Sequence, residues 1–140
     1  MLASGVRAPA FGLEQLKGGP VVLAFFKVSC PVCQLTFPFL DRIAEGLRVC
    51  GVSQDDARAT AEFNLELGIH HIETVLDAPP YPASRAFGLS NVPSIFVIES
   101  DGIVSKTIEG FSKAELEELG SRAGVPVFAA SDRVPNFRPG

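Results

Sequence analysis

The 140-residue sequence has no tryptophan, one tyrosine, one methionine, three cysteines and no long apolar run. A helix that crosses a bilayer needs about 20 consecutive apolar residues, whereas the longest apolar runs, Val21–Phe26 and Ile95–Ile98, are the size of strands. No membrane-spanning segment is therefore expected. The opening Met1–Arg7 also lacks the apolar run of a signal peptide. The compartment is left open between the cytoplasm and, if a signal or membrane anchor was removed, the periplasm.

The sequence carries little charge, and the small excess is negative. It has 12 basic and 16 acidic residues, a formal net charge of −4 at pH 7 and a pI near 5.1. Because phosphate backbones are bound by clusters of Lys and Arg, nucleic acid is not an expected partner.

Hydrophobic residues make up 46% of the chain and 11 residues are Phe, which is a core-forming composition. We expect one domain over residues 1–140, irregular from about residue 125, that acts as a monomer.

Turn-rich segments separate the apolar runs at intervals typical of alternating strands and helices. Val21–Phe26 is continuously apolar, as in a strand buried on both faces. The other predicted elements are a helix from Pro31 that contains Pro38, a strand Leu47–Val52, a helix through Ala57 and Leu67 capped by Ser53 or Asp55, a short strand within Gly68–Leu76, a short helix to Phe87, a hairpin of Ile95–Ile98 with Ile103–Ile108, and a helix from Ser112 that stops at Gly120. This order predicts an α/β fold whose mixed central sheet is flanked by helices on both faces.

Cys30 and Cys33 stand where a buried strand is followed by the start of a helix. Cys30 falls at the predicted N-cap and Pro31 at the first helical position, so the sulfur faces free backbone N–H groups and the positive end of the helix dipole. In such motifs the pKa of the first thiol can fall to about 3.5–7.5. Cys33, one turn later, can attack a mixed disulfide on Cys30 and release the reduced partner. The pair predicts thiol–disulfide exchange, with Cys30 as nucleophile and Cys33 as resolving cysteine.

A zinc site or a pair of inert buried thiols would also explain this spacing. Zinc needs four ligands, and the remaining candidates, Cys50, His70 and His71, offer no second Cys-x-x-Cys or His-x-x-x-His spacing. Cys50 lies in an apolar run, where a free cysteine usually packs as a small hydrophobe. The exchange reaction uses only the two thiols, so neither a metal nor an organic cofactor is expected.

The sequence resembles the thioredoxin-like superfamily over almost its whole length. The resemblance is carried by the strand Val21–Phe26, the motif Cys30-Pro-Val-Cys33, the helix proline Pro38, the pair Val92-Pro93 before a strand, the hairpin, and Gly110 before the last helix. Three segments are similar to the branch shared by TlpA-type oxidoreductases and the alkyl hydroperoxide reductase/thiol-specific antioxidant (AhpC/TSA) proteins: Ala8–Phe11, Gly51–Asp56 and Val92–Gly102.

The resemblance implies a thioredoxin fold and a bacterial thiol–disulfide oxidoreductase. Its partners would be protein thiols or disulfides and an upstream electron donor or acceptor. The resemblance also implies that Pro93 is a cis-proline packed against the redox pair, and that an extended substrate peptide docks beside it. The residues assigned to this docking surface are Pro31, Val32, Val92, Pro93 and Gly110.

Two further activities remain open at this stage. Peroxiredoxins, which belong to the same branch, carry a Pro-x-x-x-Thr-x-x-Cys motif. Here Leu23 stands at the proline position of this motif and Lys27 at the threonine position. A thiol peroxidase is therefore the second interpretation, and a non-catalytic binding module is the third. The carboxylates that related proteins place near the second cysteine are replaced by Ala24 and Thr36. The group that takes up the Cys33 proton is thus not identified from the sequence.

Overall fold

The computed structural model describes residues 1–9 and 18–140, so Ala10 and Phe11 of the Ala8–Phe11 segment lie outside the described residues. The elements are, in chain order, β1 (Val21–Phe26), α1 (Pro31–Ile43), β2 (Val49–Ser53), α2 (Ala57–Leu67), β3 (Glu73–Leu76), α3 (Pro82–Ala86), β4 (Ser94–Ile98), β5 (Val104–Glu109), β6 (Phe111–Ser112), α4 (Lys113–Ala123) and β7 (Phe137–Arg138). None of the helices in this described part has the length and apolar character needed to cross a bilayer.

The main sheet has five strands in the order β3-β2-β1-β4-β5. β1 pairs parallel with β2, and β2 pairs parallel with β3, whereas β4 is antiparallel to both of its neighbours. The parallel half is built by the two strand–helix–strand units, and the hairpin of β4 and β5 supplies the antiparallel half. The predicted mixed sheet is therefore confirmed.

The side chains of β1 alternate between two core layers. All six residues of β1 are fully buried, as expected for a central strand covered on both faces. The even-numbered residues pack in one cluster with Phe37 of α1, Phe63 of α2 and Leu116 of α4. The odd-numbered residues pack in a second cluster with Ala83 of α3 and Phe87 at its C-cap. Helices therefore cover both faces of the sheet, as predicted.

The cap of α2 differs from the sequence prediction. Ser53 and Asp55 were the expected caps, but the Asp56 carboxylate accepts the hydrogen bond from the Ala59 N–H at 2.8 Å. Ser53 is instead the buried last residue of β2, and its hydroxyl lies 2.6 Å from that of Thr60. The strand runs on to Ser53, which moves the cap further along the chain.

The last helix is longer than predicted. α4 does not stop at Gly120 but continues to Ala123, and Gly124 closes it in the left-handed conformation with φ 73°. Gly120 lies against Val127, and a β-carbon at Gly120 would overlap the Val127 side chain. Gly120 therefore permits close packing inside the helix, and Gly124 is the glycine that ends the helix.

The segment expected to be irregular contains a short strand. β7 pairs antiparallel with β6, with Phe111 opposite Arg138 and Ser112 opposite Phe137. The Lys113 N–H also donates to the Asn136 carbonyl at 2.9 Å. Strands are predicted from alternation over four or more residues. Two-residue strands are too short to show it, so the sequence does not predict the pairing of β6 with β7.

Candidate active site

The Cys-x-x-Cys motif lies at the junction of β1 and α1. Cys30 is the N-cap of α1 in an extended conformation (φ −83°, ψ 115°), and Pro31 begins the helix. The Cys30 Sγ accepts a hydrogen bond from the Cys33 N–H at 3.1 Å. This contact satisfies one of the N–H groups that a helix start leaves free, and the helix dipole favours negative charge on the same sulfur. The predicted helix start at the cysteines is confirmed.

The two thiols of the motif differ in their access to solvent. Both are free in the structure; Cys30 is half-buried, whereas the Cys33 side chain is 0% exposed. Burial raises the pKa of Cys33 well above its ordinary value of 9.0, and the hydrogen bond with Cys30 and the charge of Asp55 raise it further. Cys33 therefore holds its proton at neutral pH, and Cys30 is the thiol that a partner can reach.

The loop before β4 faces the motif. The Val92–Pro93 peptide bond is cis, as the resemblance implied. The Val92 carbonyl oxygen lies 3.5 Å from the Cys30 Sγ and accepts its hydrogen bond. The Gly110 N–H in turn donates to the Pro93 carbonyl at 2.9 Å. The structure thus links Val92, Pro93 and Gly110 beside Cys30: Val92 is half-buried and touches the Cys30 sulfur, whereas Pro93 and Gly110 are buried.

The other two residues assigned to the docking surface lie on the first turn of α1. Pro31 is exposed, and Val32 is half-buried against the core cluster of that face. The Val32 carbonyl accepts a hydrogen bond from the Thr36 hydroxyl at 2.7 Å. Thr36 is fully buried and its hydroxyl is committed to this bond, so it offers no acid–base group to the cysteines.

The structure adds Asp55 to this neighbourhood, a residue considered from the sequence only as a helix cap. β1 and β2 are parallel, with Phe26 opposite Ser53, so the segments that follow the two strands meet at one edge of the sheet. The Asp55 carboxylate accepts a hydrogen bond from the Val28 N–H at 2.8 Å, and its charge acts on Cys33. The sequence feature that could have indicated this role is an acidic residue shortly after β2, the strand that neighbours β1.

The remaining sequence candidates lie elsewhere. Cys50 is fully buried in β2, and burial raises the pKa of its thiol to about 12. His70 and His71 lie in the segment before β3, where their backbone N–H groups donate to the Asp41 carboxylate. Within residues 1–9 and 18–140, no three His, Cys, Asp or Glu side chains form a group that could hold a metal ion.

The fold and the paired cysteines at a helix start define a thioredoxin-fold protein with a dithiol site. Residues 6–107, which make up most of the chain, match the AhpC/TSA family model. The chain therefore belongs to the AhpC/TSA family.

Known relatives agree with this assignment. The chain is similar to the thiol:disulfide interchange protein DsbE of Pseudomonas aeruginosa, with 29% identity over 109 residues, which are 75% of this chain and 60% of that protein. The chain thus spans about three-fifths of the length of this curated relative.

Solved structures share the fold. DsbF of Mycobacterium tuberculosis (MTB), solved in mixed oxidized and reduced forms, has 25% identity and a TM-score of 0.68, and the match covers 79% of this chain and 84% of that one. A secreted Mycobacterium tuberculosis disulfide oxidoreductase homologous to E. coli DsbE has 22% identity and a TM-score of 0.64, with 78% of this chain and 83% of that one covered. The predicted thioredoxin fold is confirmed.

Proposed function

We propose that this protein is a thiol–disulfide oxidoreductase that exchanges electrons with protein thiols or disulfides through Cys30 and Cys33. The geometry of the two thiols carries the proposal. The Cys30 sulfur lies at a helix N-terminus where a partner can reach it, and Cys33, one turn later in the helix, is buried and protonated. The similarity to a thiol:disulfide interchange protein supports the same activity.

The reaction needs only these two sulfurs. The Cys30 thiolate attacks one sulfur of a partner disulfide, a mixed disulfide forms, and the other partner sulfur leaves as a thiolate. Cys33 then loses its proton and attacks the Cys30 Sγ, which forms the Cys30–Cys33 disulfide and releases the second partner sulfur. Two electrons pass to the partner, and the reverse sequence oxidises a partner dithiol. An upstream electron donor or acceptor resets the pair.

The proposed docking surface consists of Pro31, Val32, Val92, Pro93 and Gly110. An extended polypeptide can pair its backbone with exposed peptide groups of a sheet edge or loop, and the side chains around the pairing then select the sequence. A location outside the cytoplasm is proposed because the similar Mycobacterium tuberculosis oxidoreductase is secreted. The expected monomer stays a prediction.

A thiol peroxidase is the second candidate, because the AhpC/TSA family model matches most of the chain. The two positions that shape the peroxide pocket in peroxiredoxins do not favour it here. Leu23 is fully buried in the core, and Lys27 is an exposed cation where a threonine hydroxyl would be needed. Disulfide exchange therefore accounts better for the residues around Cys30.

A glutathione redox titration at pH 7 tests the proposed function. We expect one two-electron transition that joins Cys30 to Cys33, with a potential between about −270 mV, typical of a reductant, and about −120 mV, typical of an oxidant. Alkylation followed by mass spectrometry reads the transition, since the chain has no tryptophan to report it. A Cys50→Ala variant should titrate identically. Absence of the couple, with Cys30 modified only by peroxide, would replace this proposal with the peroxidase.

The resolving step should depend on the charge of Asp55. Because that charge raises the pKa of Cys33, though less than burial and the contact with Cys30 do, the change Asp55→Asn should lower this pKa, increase the thiolate at pH 7 and speed resolution by up to about 2-fold. The measurement is the release of thionitrobenzoate from a mixed disulfide preformed on Cys30 in the Cys50→Ala background. The rate should rise with pH from 6 to 9 in both proteins, since the Cys33 thiolate fraction grows throughout this range.

The matched control for this experiment is Asp56→Asn. It removes one negative charge at the next residue, and asparagine is as good an N-cap as aspartate, so α2 should be retained. Its release rate should equal that of the original protein. Slower release in Asp55→Asn would contradict the electrostatic interpretation and would identify Asp55 as the base for Cys33.

A further inference from the structure

Residues Asn136–Gly140, called here the strap, lie against two residues of the proposed docking surface, Val92 and Gly110. The strap pairs with β6 through β7, where Arg138 stands opposite Phe111 and Phe137 opposite Ser112. The Asn136 carbonyl accepts the Lys113 N–H at 2.9 Å and extends the pairing to the first residue of α4. The backbone of the strap is therefore held as an added antiparallel strand.

The end of the strap reaches the thiol site. Gly110 is buried beneath it, and a β-carbon at Gly110 would overlap the Arg138 carbonyl oxygen. A β-carbon at Gly140 would lie only 2.5 Å from the Val92 carbonyl oxygen, which is the oxygen that accepts the hydrogen bond from the Cys30 Sγ. The strap thus covers Gly110 and contacts the peptide group that borders Cys30.

The strap is held by its backbone and leaves its side chains in solvent. All five of its residues are exposed, and Phe137 is a large apolar side chain with 58% of its surface exposed. Segments that bury few apolar contacts and rest on exposed backbone hydrogen bonds open at low free-energy cost. An incoming extended strand can replace the β7 pairing with β6 and form the same number of hydrogen bonds, because the backbone groups of any sequence make these bonds.

We propose that the strap is a built-in competitor for the docking surface, which an extended partner polypeptide must displace before its disulfide reaches Cys30. This inference rests on the proposed function, since it takes Val92 and Gly110 as the partner surface. It follows that the strap restricts polypeptide partners more than small disulfides. If the strap covers the surface in about 70–90% of molecules, the apparent affinity for a polypeptide is reduced by about 3- to 10-fold.

Removal of the strap tests this inference. We expect a variant that lacks residues 136–140 to gain about 3- to 10-fold in kcat/KM toward a peptide disulfide, mainly through KM, and to gain less toward oxidised glutathione. The point variant Gly140→Val should give the same direction of change in the full chain, because its side chain would collide with the Val92 carbonyl. Arg133→Ala, an exposed change just outside the strap, is the control and should leave both rates unchanged.

A binding experiment separates this inference from the proposed function. A fluorescein-labelled peptide with the sequence of Val134–Gly140 should bind to a strap-deleted protein in which Cys30 and Cys33 are serine, with a Kd of about 0.1–0.5 mM by anisotropy, because about 70–90% coverage at a local concentration of about 1 mM corresponds to this affinity. Equal kcat/KM with and without the strap, together with no peptide binding, would overturn the competitor role while exchange activity stands. Peptide binding without any exchange activity would instead overturn the proposed function and retain the strap as an occupant of this surface.

Discussion

Replacement of Cys33 by serine is expected to trap partner proteins on Cys30 as mixed disulfides and to lower exchange turnover by about a thousandfold. Cys30 is half-buried and keeps its place at the helix N-cap, so the first attack remains. Serine has no sulfur, so the second attack, which releases the partner, is lost. The mixed disulfide should accumulate in proportion to the partner disulfide added.

Non-reducing gels and mass spectrometry of the trapped species measure this outcome. Cys50→Ala is the matched control, because it also removes one buried thiol, yet Cys50 is fully buried in β2, outside the Cys30–Cys33 pair. It should turn over at the original rate and trap nothing. A Cys33→Ser protein that forms no mixed disulfide but is oxidised at Cys30 by peroxide would favour the peroxidase. A protein that holds its partner unchanged through both substitutions would favour a binding module.

The parts of this site that the sequence predicted are those set by local patterns. Val21–Phe26 is an unbroken apolar run, so both faces of this strand must be buried. This requirement places the strand at the centre of the sheet. Cys30 followed by Pro31 fits an N-cap and the first helical position, so the helix start could be predicted to the residue. The cis peptide bond before Pro93 was implied by resemblance alone.

The parts that the sequence did not predict depend on contacts between distant segments. Asp55 meets the motif because β1 and β2 are parallel neighbours, and only the sheet order places their ends together. The strap lies over Gly110 because its backbone pairs with the next two residues, Phe111 and Ser112, and backbone pairing carries no side-chain pattern. The sequence predicts a helix end at Gly120 because a glycine required for close packing cannot be told from one required for a left-handed cap.

The Asp41 carboxylate holds the helix that carries the cysteines against the segment before β3. It lies on the buried side of α1 and is 7% exposed. One of its oxygens accepts hydrogen bonds from the backbone N–H groups of His70 at 3.1 Å, His71 at 2.8 Å and Ile72 at 3.1 Å. The two histidines, considered from the sequence as candidate zinc ligands, thus contribute through their backbone to a contact with α1.

The change Asp41→Ala should lower the free energy of unfolding by about 3 kcal/mol and the Tm by about 10 °C, because three N–H groups lose their acceptor together. Asp41→Asn keeps one carbonyl oxygen in place and should lose about half as much. Asp132→Ala is the control: it removes the ion pair with Arg42 and the hydrogen bond from the Ala129 N–H, but water can replace the carboxylate at both partners, so it should destabilise the protein less than Asp41→Ala. Urea denaturation followed by far-UV circular dichroism measures all three. An Asp41→Ala protein as stable as the Asp132→Ala control would show that water replaces the carboxylate and that this contact does not anchor α1.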